Sequence, residues 1–174
     1  MSSARATWCF VLLAALSGCV QNEPGVPIEE EEGAPPAQML SNVNVADPRA
    51  APQLLRGFHG LEQQAWRWTE RKFAVMLEPP PPGQPVVLNL AFTLPGVVTD
   101  EVGPITVTAR INGEQVGAQT FDSPGENKQF EAVVPDGLLT TQAAEVEFEL
   151  DKALPPGERD PRELGIIVFS VAFQ

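Results

Sequence analysis

The sequence predicts an all-β fold: an antiparallel β-sandwich of jelly-roll or Greek-key type with about eight strands. Three observations carry this. Apolar residues recur with period two through most of the chain after Gly57. An Asn-Gly pair, Asn112-Gly113, stands between two alternating runs, and both central residues of a tight hairpin turn need positive φ. The 174 residues include 18 prolines and 14 glycines, which punctuate the chain, and no stretch shows a long helical period.

Taken in order, Ala65–Thr69 reads as a first strand, and Phe73, Val75 and Leu77 alternate beyond it. "VVLNLAFTL" (Val86–Leu94) is a nearly continuous apolar run. "ITVTARI" sets Ile105, Val107, Ala109 and Ile111 against Thr106, Thr108 and Arg110, and Gln115–Phe121 follows the Asn-Gly turn. Lys128–Val134 comes next. "EVEFEL" buries Val146, Phe148 and Leu150 and exposes Glu145, Glu147 and Glu149. The very apolar Leu164–Phe173 closes the chain and is expected at the centre of a sheet. Pro-rich connections, "EPPPPGQP" and "LPPGERDP", separate several of these runs.

The first 56 residues read differently. "MSSARATWCFVLLAALSGC" has Arg5 in its head, an apolar run over Trp8–Leu16, and then Leu16-Ser17-Gly18-Cys19. The run is shorter than the roughly 20 residues a spanning helix needs, so it reads as a secretory signal over residues 1–18. "LSGC" resembles a bacterial lipobox. That resemblance implies cleavage before Cys19, a diacylglyceryl thioether on its sulfur, and acylation of the new amino group. Two or more acyl chains anchor stably where one does not. It places the protein in the bacterial envelope, and Val20 in place of an Asp after Cys19 favours the outer membrane over the inner. Residues 19–56, rich in Pro, Glu and Ala and carrying Glu29–Glu32 in a row, are expected to form a disordered tether, the alternative for Pro48–Arg56 being a short helical or strand-like lead-in, since Leu54 and Leu55 could pack. The sandwich is expected over residues 57–174. Cys9 lies in the removed segment and Cys19 carries lipid, so the mature domain holds no disulfide.

The formal net charge of −12 argues against nucleic acid as a partner. Catalysis finds little footing. The chain has one His, no Tyr and, once Cys19 is lipidated, no free thiol. His59 and Glu62 lie three apart, but zinc or copper needs three or four good ligands, so no metal or cofactor is expected. No Gly-x-Ser-x-Gly elbow or phosphate loop is present. Paired carboxylates for glycoside hydrolysis exist only on paper, Glu62 and Asp160 among them. The Glu145-Glu147-Glu149 series runs along one strand and cannot converge on calcium, so it reads as a solvated face. The expected protein is a non-enzymatic monomer.

Trp66 and Trp68 are two apart, which puts both rings on one side of a strand. They read either as core or, with His59 near them, as a platform on which sugar rings stack. Arg67 points the other way and, with Glu62, Asp160 and Arg162, makes a set of candidate ion pairs: Glu62–Arg162 or Arg67–Asp160, stapling the start of the sandwich to its last strand.

The series Gly57, Phe58, Glu62, Arg67-Trp68-Thr69, Asn112-Gly113, Pro156, Asp160, Arg162 and Leu164-Gly165 resembles, in order and spacing, a small β-sandwich module appended to some bacterial glycosyltransferases and other envelope proteins. The resemblance covers about two thirds of the chain. It implies a non-catalytic accessory domain linked to polysaccharide biology and carries over no active site. Here an anchor and tether stand where the glycosyltransferase would be. The function expected is therefore a lipid-anchored envelope protein that displays a carbohydrate-binding β-sandwich. The alternative is a structural lipoprotein that docks on another envelope protein without touching glycan.

Overall fold

The structure is a computed structural model, described here over residues 38–140 and 142–174. The signal segment, Cys19 and most of the expected tether lie outside the described residues. Nine strands form an antiparallel sandwich: β1 (Asn42–Asn44), β2 (Leu54–Phe58), β3 (Arg67–Leu77), β4 (Val86–Leu94), β5 (Ile105–Ile111), β6 (Glu114–Phe121), β7 (Gly125–Val134), β8 (Ala144–Leu150) and β9 (Ile167–Phe173). A 3-10 helix spans Pro48–Gln53, and one short helix, α1, spans Gly96–Val102.

Hydrogen bonding runs in the order β6-β5-β8-β3-β9-β4-β7, with β1 also on β9 and β2 also on β3. The 11-residue β3 belongs to both layers. Its start, Arg67 and Trp68, pairs with Val168 and Ile167 of β9, and its later part, Lys72–Leu77, pairs with β8. The far ends of the path come together where a side chain on Gly117 of β6 would stand 2.9 Å from the Ala132 Cβ of β7. The two layers thus enclose one core. Inward positions of β3, β4, β5, β7, β8 and β9 fill it: Phe73, Val75 and Leu77; Leu88, Leu90 and Phe92; Val107 and Ala109; Phe130; Val146, Phe148 and Leu150; Val168 and Val171. Phe148 lies stacked on Phe73 (centroids 5.1 Å) and edge-on to Phe130 (6.0 Å), so one ring joins three strands.

Asn112 (φ 50) and Gly113 (φ 87) turn the β5–β6 hairpin with the positive φ values the dipeptide promises. The Asn112 side chain also accepts a hydrogen bond from the Glu145 N–H, tying the turn to β8. β9 is paired on both sides, by β4 along one edge and by β1 and β3 along the other.

Two expectations are corrected. Ala65–Thr69 and Phe73–Leu77 are not separate strands, since β3 is continuous from Arg67 to Leu77. The folded unit also begins before Gly57. β1 and the start of β2 lie in the stretch assigned to the tether, and Val43 and Val45 are fully buried; over Pro48–Arg56 the alternative of a helical or strand-like lead-in is the one that forms. Three residues with two asparagines carry too little alternation to read as a strand. What makes β1 is the open edge of β9, whose backbone groups need partners. Gln53 helps hold it. Its buried amide accepts from the Leu40 N–H at 3.0 Å and donates to the carbonyls of Leu40 (2.9 Å) and Met76 (2.7 Å).

Candidate functional site

The turn between β2 and β3 and the loop before β9 meet at one end of the sandwich. Glu62 and Trp66 face each other as an isolated antiparallel bridge, so their side chains leave on one side. Between them Gln63 (φ 47) and Gln64 (φ 55) both adopt the left-handed region, which costs a glutamine roughly 1–2 kcal/mol each. This strained tip presents Trp66 and Glu62 together.

Arg162 is the hub. Its Nη1 donates to Glu62 at 2.8 Å, and its Nε and Nη2 donate to Asp160 at 3.0 and 2.8 Å. The Arg162 N–H also donates to Asp160 at 2.9 Å. These hydrogen bonds from Arg162, side chain first and backbone second, lower the Asp160 carboxyl to about 2. Opposite carboxylates likewise hold the guanidinium firmly charged. The three side chains keep about a third of their surface exposed. The Glu62–Arg162 alternative is therefore the pair that forms.

The Arg67–Asp160 alternative does not form. Arg67 makes no ion pair among the described residues. It donates instead to the backbone carbonyls of Val45 (3.1 Å) and His59 (3.0 Å), tying β1 to the β2–β3 turn. A backbone acceptor cannot be read from side-chain types, which is why the sequence offered only carboxylates. His59 is a staple as well. Its backbone N–H donates to Trp68, and Nε2 stands 2.7 Å from the Glu163 carbonyl, which requires the Nε2–H tautomer.

Thr69 and Gly165 join the same two segments. Thr69 is fully buried; its Oγ1 accepts from the Ile166 N–H at 3.2 Å, and its carbonyl accepts from Gly165 at 2.7 Å. A side chain on Gly165 would stand 2.6 Å from Leu150 Cδ1 and 2.8 Å from Thr69 Oγ1, so only glycine fits. Thr69 and Gly165, with Glu62 and Arg162 beside them, thus clamp the start of β3 to the entry to β9.

The tryptophans are less simple than either reading. Both are half-buried. Their rings lie 6.5 Å apart at 78°, edge to face and not coplanar, so no flat two-ring platform exists. Trp68 packs against the core, whereas Trp66 is not among the side chains that do so. The result is one indole on the strained tip, backed by a second and flanked by the Arg162 cluster.

Asp160 makes a poor general acid. A general acid needs a raised carboxyl pKa, and Asp160 is lowered. The sign of its pH dependence follows. The contact contributes fully above the ordinary carboxyl value of 3.8 and is lost as pH falls toward 2. In Arg162→Ala the Asp160 carboxyl should titrate back near 3.8, followed by carbon-detected NMR; an unshifted low value would show that Arg162 is not the cause.

Elsewhere, the Glu145-Glu147-Glu149 face is covered by cations: Arg56 on Glu145 and Glu147, and Lys72 and Arg110 on Glu149. At the far end of β3 a cleft of about 660 Å³ lies between the Pro79–Pro82 loop and Pro135–Thr140. The first of these walls lies in the Pro-rich connection "EPPPPGQP".

The fold and this site define an antiparallel β-sandwich with a polar–aromatic patch at the end where its first long strand meets its last. Among solved structures the chain is similar to an acetyl xylan esterase from the rumen bacterium Butyrivibrio proteoclasticus, at 12% identity and TM-score 0.44 over 79% of this chain and 34% of the esterase. It thus spans about a third of that enzyme. It is also similar to a family 35 carbohydrate-binding module from an environmental isolate, at 14% identity and TM-score 0.39 over 78% of this chain and 85% of the module. No family model matches the chain, and no curated protein matches it in sequence.

Proposed function

We propose that this protein is a non-catalytic, lipid-anchored component of the bacterial envelope whose sandwich binds carbohydrate. The observation that carries the binding reading is Trp66. It is a half-exposed indole outside the core, held on a strained turn beside a charged cluster of two carboxylates and one guanidinium. An aromatic face takes the apolar face of a sugar ring. The free lone pairs of Glu62 and Asp160 and the remaining N–H groups of Arg162 take its hydroxyls. The anchoring half of the proposal rests on "LSGC" and Cys19, with the stretch before Leu40 serving as the spacer.

Tryptophan fluorescence tests the binding half. Titrating the chain with polysaccharides and peptidoglycan fragments should give a saturable shift that Trp66→Ala abolishes while still unfolding cooperatively. A flat response across the panel would sink the reading and favour a protein partner. Metabolic labelling with a palmitate analogue tests the anchor, which Cys19→Ala should leave unlabelled.

A further inference from the structure

We infer that the outward face of the β1-β9-β4-β7 sheet continues the Trp66 site as a track for an uncharged glycan chain. This rests on the carbohydrate reading above and names the ligand class and the surface.

Register places the residues. Trp68 pairs with Ile167, which pairs with Thr93, so the tryptophan side of β3 is continuous with the outward face of β9 and β4. Further along β9, one row crosses the sheet as Asn44, Ser170, Ala91 and Gln129. The next row in is Asn42, Ala172, Asn89 and Glu131. In the first row the middle carries the small Ser170 and Ala91 between Asn44 and Gln129, and in the second it carries Ala172 and the buried Asn89 between Asn42 and Glu131. Asn42, Asn44, Gln129 and Glu131 are exposed. This makes a shallow trough that begins at the tryptophans. From Ile167 to Ala172 it runs about 16 Å at the usual rise of an extended strand.

A β-bulge lies along this path. Ala91 pairs with Ser170 but Phe92 pairs with Val168, leaving Phe169 as the extra residue. Val168 is fully buried, and Phe169 beside it is half-buried and outside the core. A bulge re-aims side chains, and here it sets an aromatic ring between the tryptophans and the amide rows.

The chemistry selects the ligand. An amide both donates and accepts, as a sugar hydroxyl does. By register no lysine or arginine stands among the residues of the two rows. Their one charge is Glu131, which accepts from Asn89 Nδ2 at 3.3 Å. Phosphate, sulfate or uronate groups would find no counter-charge there, and the net charge of −12 repels them. The opposite outer face differs, since its acids are covered by cations in a closed lattice.

The test uses the full chain in detergent micelles. Binding to dextran, mannan, a β-glucan and a neutral bacterial O-chain is measured by calorimetry, with polygalacturonate as the anionic control. Ala91→Gln fills the trough floor. Because it could disturb β4, the exposed pair Asn44→Ala/Gln129→Ala is the second variant. Either should weaken neutral-glycan binding by about tenfold, equivalent to about 1.4 kcal/mol, with cooperative unfolding retained. If Trp66→Ala abolishes binding while both trough variants bind as the parent does, the track is wrong and the Trp66 reading stands. If polygalacturonate binds more tightly than every neutral glycan, the ligand class is wrong. If no glycan binds, both readings fall.

Discussion

Gly57→Ala is expected to cost at least roughly 4 kcal/mol and to lower the melting temperature by roughly 10–15 °C. Gly57 adopts φ +74, and a Cβ there would lie 2.0 Å from the Lys72 carbonyl and 2.7 Å from the Phe73 Cα. Both obstacles are backbone of β3, so neither can swing away. β2 would have to lift from β3, parting Phe58 from the Phe73 ring 5.3 Å away and loosening His59 from the Glu163 carbonyl. Gly60→Ala is the control. Open space surrounds it, and its cost should stay within about 0.5 kcal/mol. Urea denaturation of the two variants decides. Equal midpoints would show that β2 does not approach β3 this closely.

Phe148→Ala should cost roughly 3–5 kcal/mol. The ring is fully buried, stacked at 19° on Phe73 and edge-on at 88° to Phe130 on the other sheet. Truncation removes the aromatic group that spans the two layers and leaves a cavity walled by both. Phe148→Leu, which keeps most of the volume, should lose much less. If the two variants unfold at the same denaturant concentration, packing at this point does not hold the layers together. The effect is on stability alone, because Phe148 lies in the core while the Trp66 patch is built on turns and the entry to β9.

Both glycine and phenylalanine show where sequence reasoning reached and where it stopped. Phe148 was legible. It alternates with Glu147 and Glu149 in "EVEFEL", and period two assigns its side without any knowledge of partners. The same holds for β5, and Asn112-Gly113 carries its turn in its own φ preferences. Gly57 stands in the sequence as one glycine among 14, with nothing local to single out its reason. The close approach to Lys72 exists only once β2 lies on β3. Gln53, buried with three backbone partners, gave no signal in a segment that reads as linker.

The candidate site divides in the same way. The types Glu62, Arg162 and Asp160 announced an ionic cluster, yet which pairs form depends on how the β2–β3 turn meets the loop before β9. Arg67 went to backbone carbonyls, which every residue carries and no sequence distinguishes. Two tryptophans spaced by two do share a side, but the angle between their rings comes from packing.

By itself the sequence determined the antiparallel β class, the inward sets of β5 and β8 and of Phe73, Val75 and Leu77, and the hairpin turn, because these follow from local periodicity and backbone preference. Only the tertiary structure decided that β1 and β2 belong to the fold, that Arg162 joins both carboxylates, and that the tryptophans open onto an amide-lined sheet face. Those depend on which strand edges and side chains meet across separations from 11 residues (Phe58 to Thr69) to 130 (Asn42 to Ala172), and such meetings are settled by the packing of the whole core and not by any local pattern.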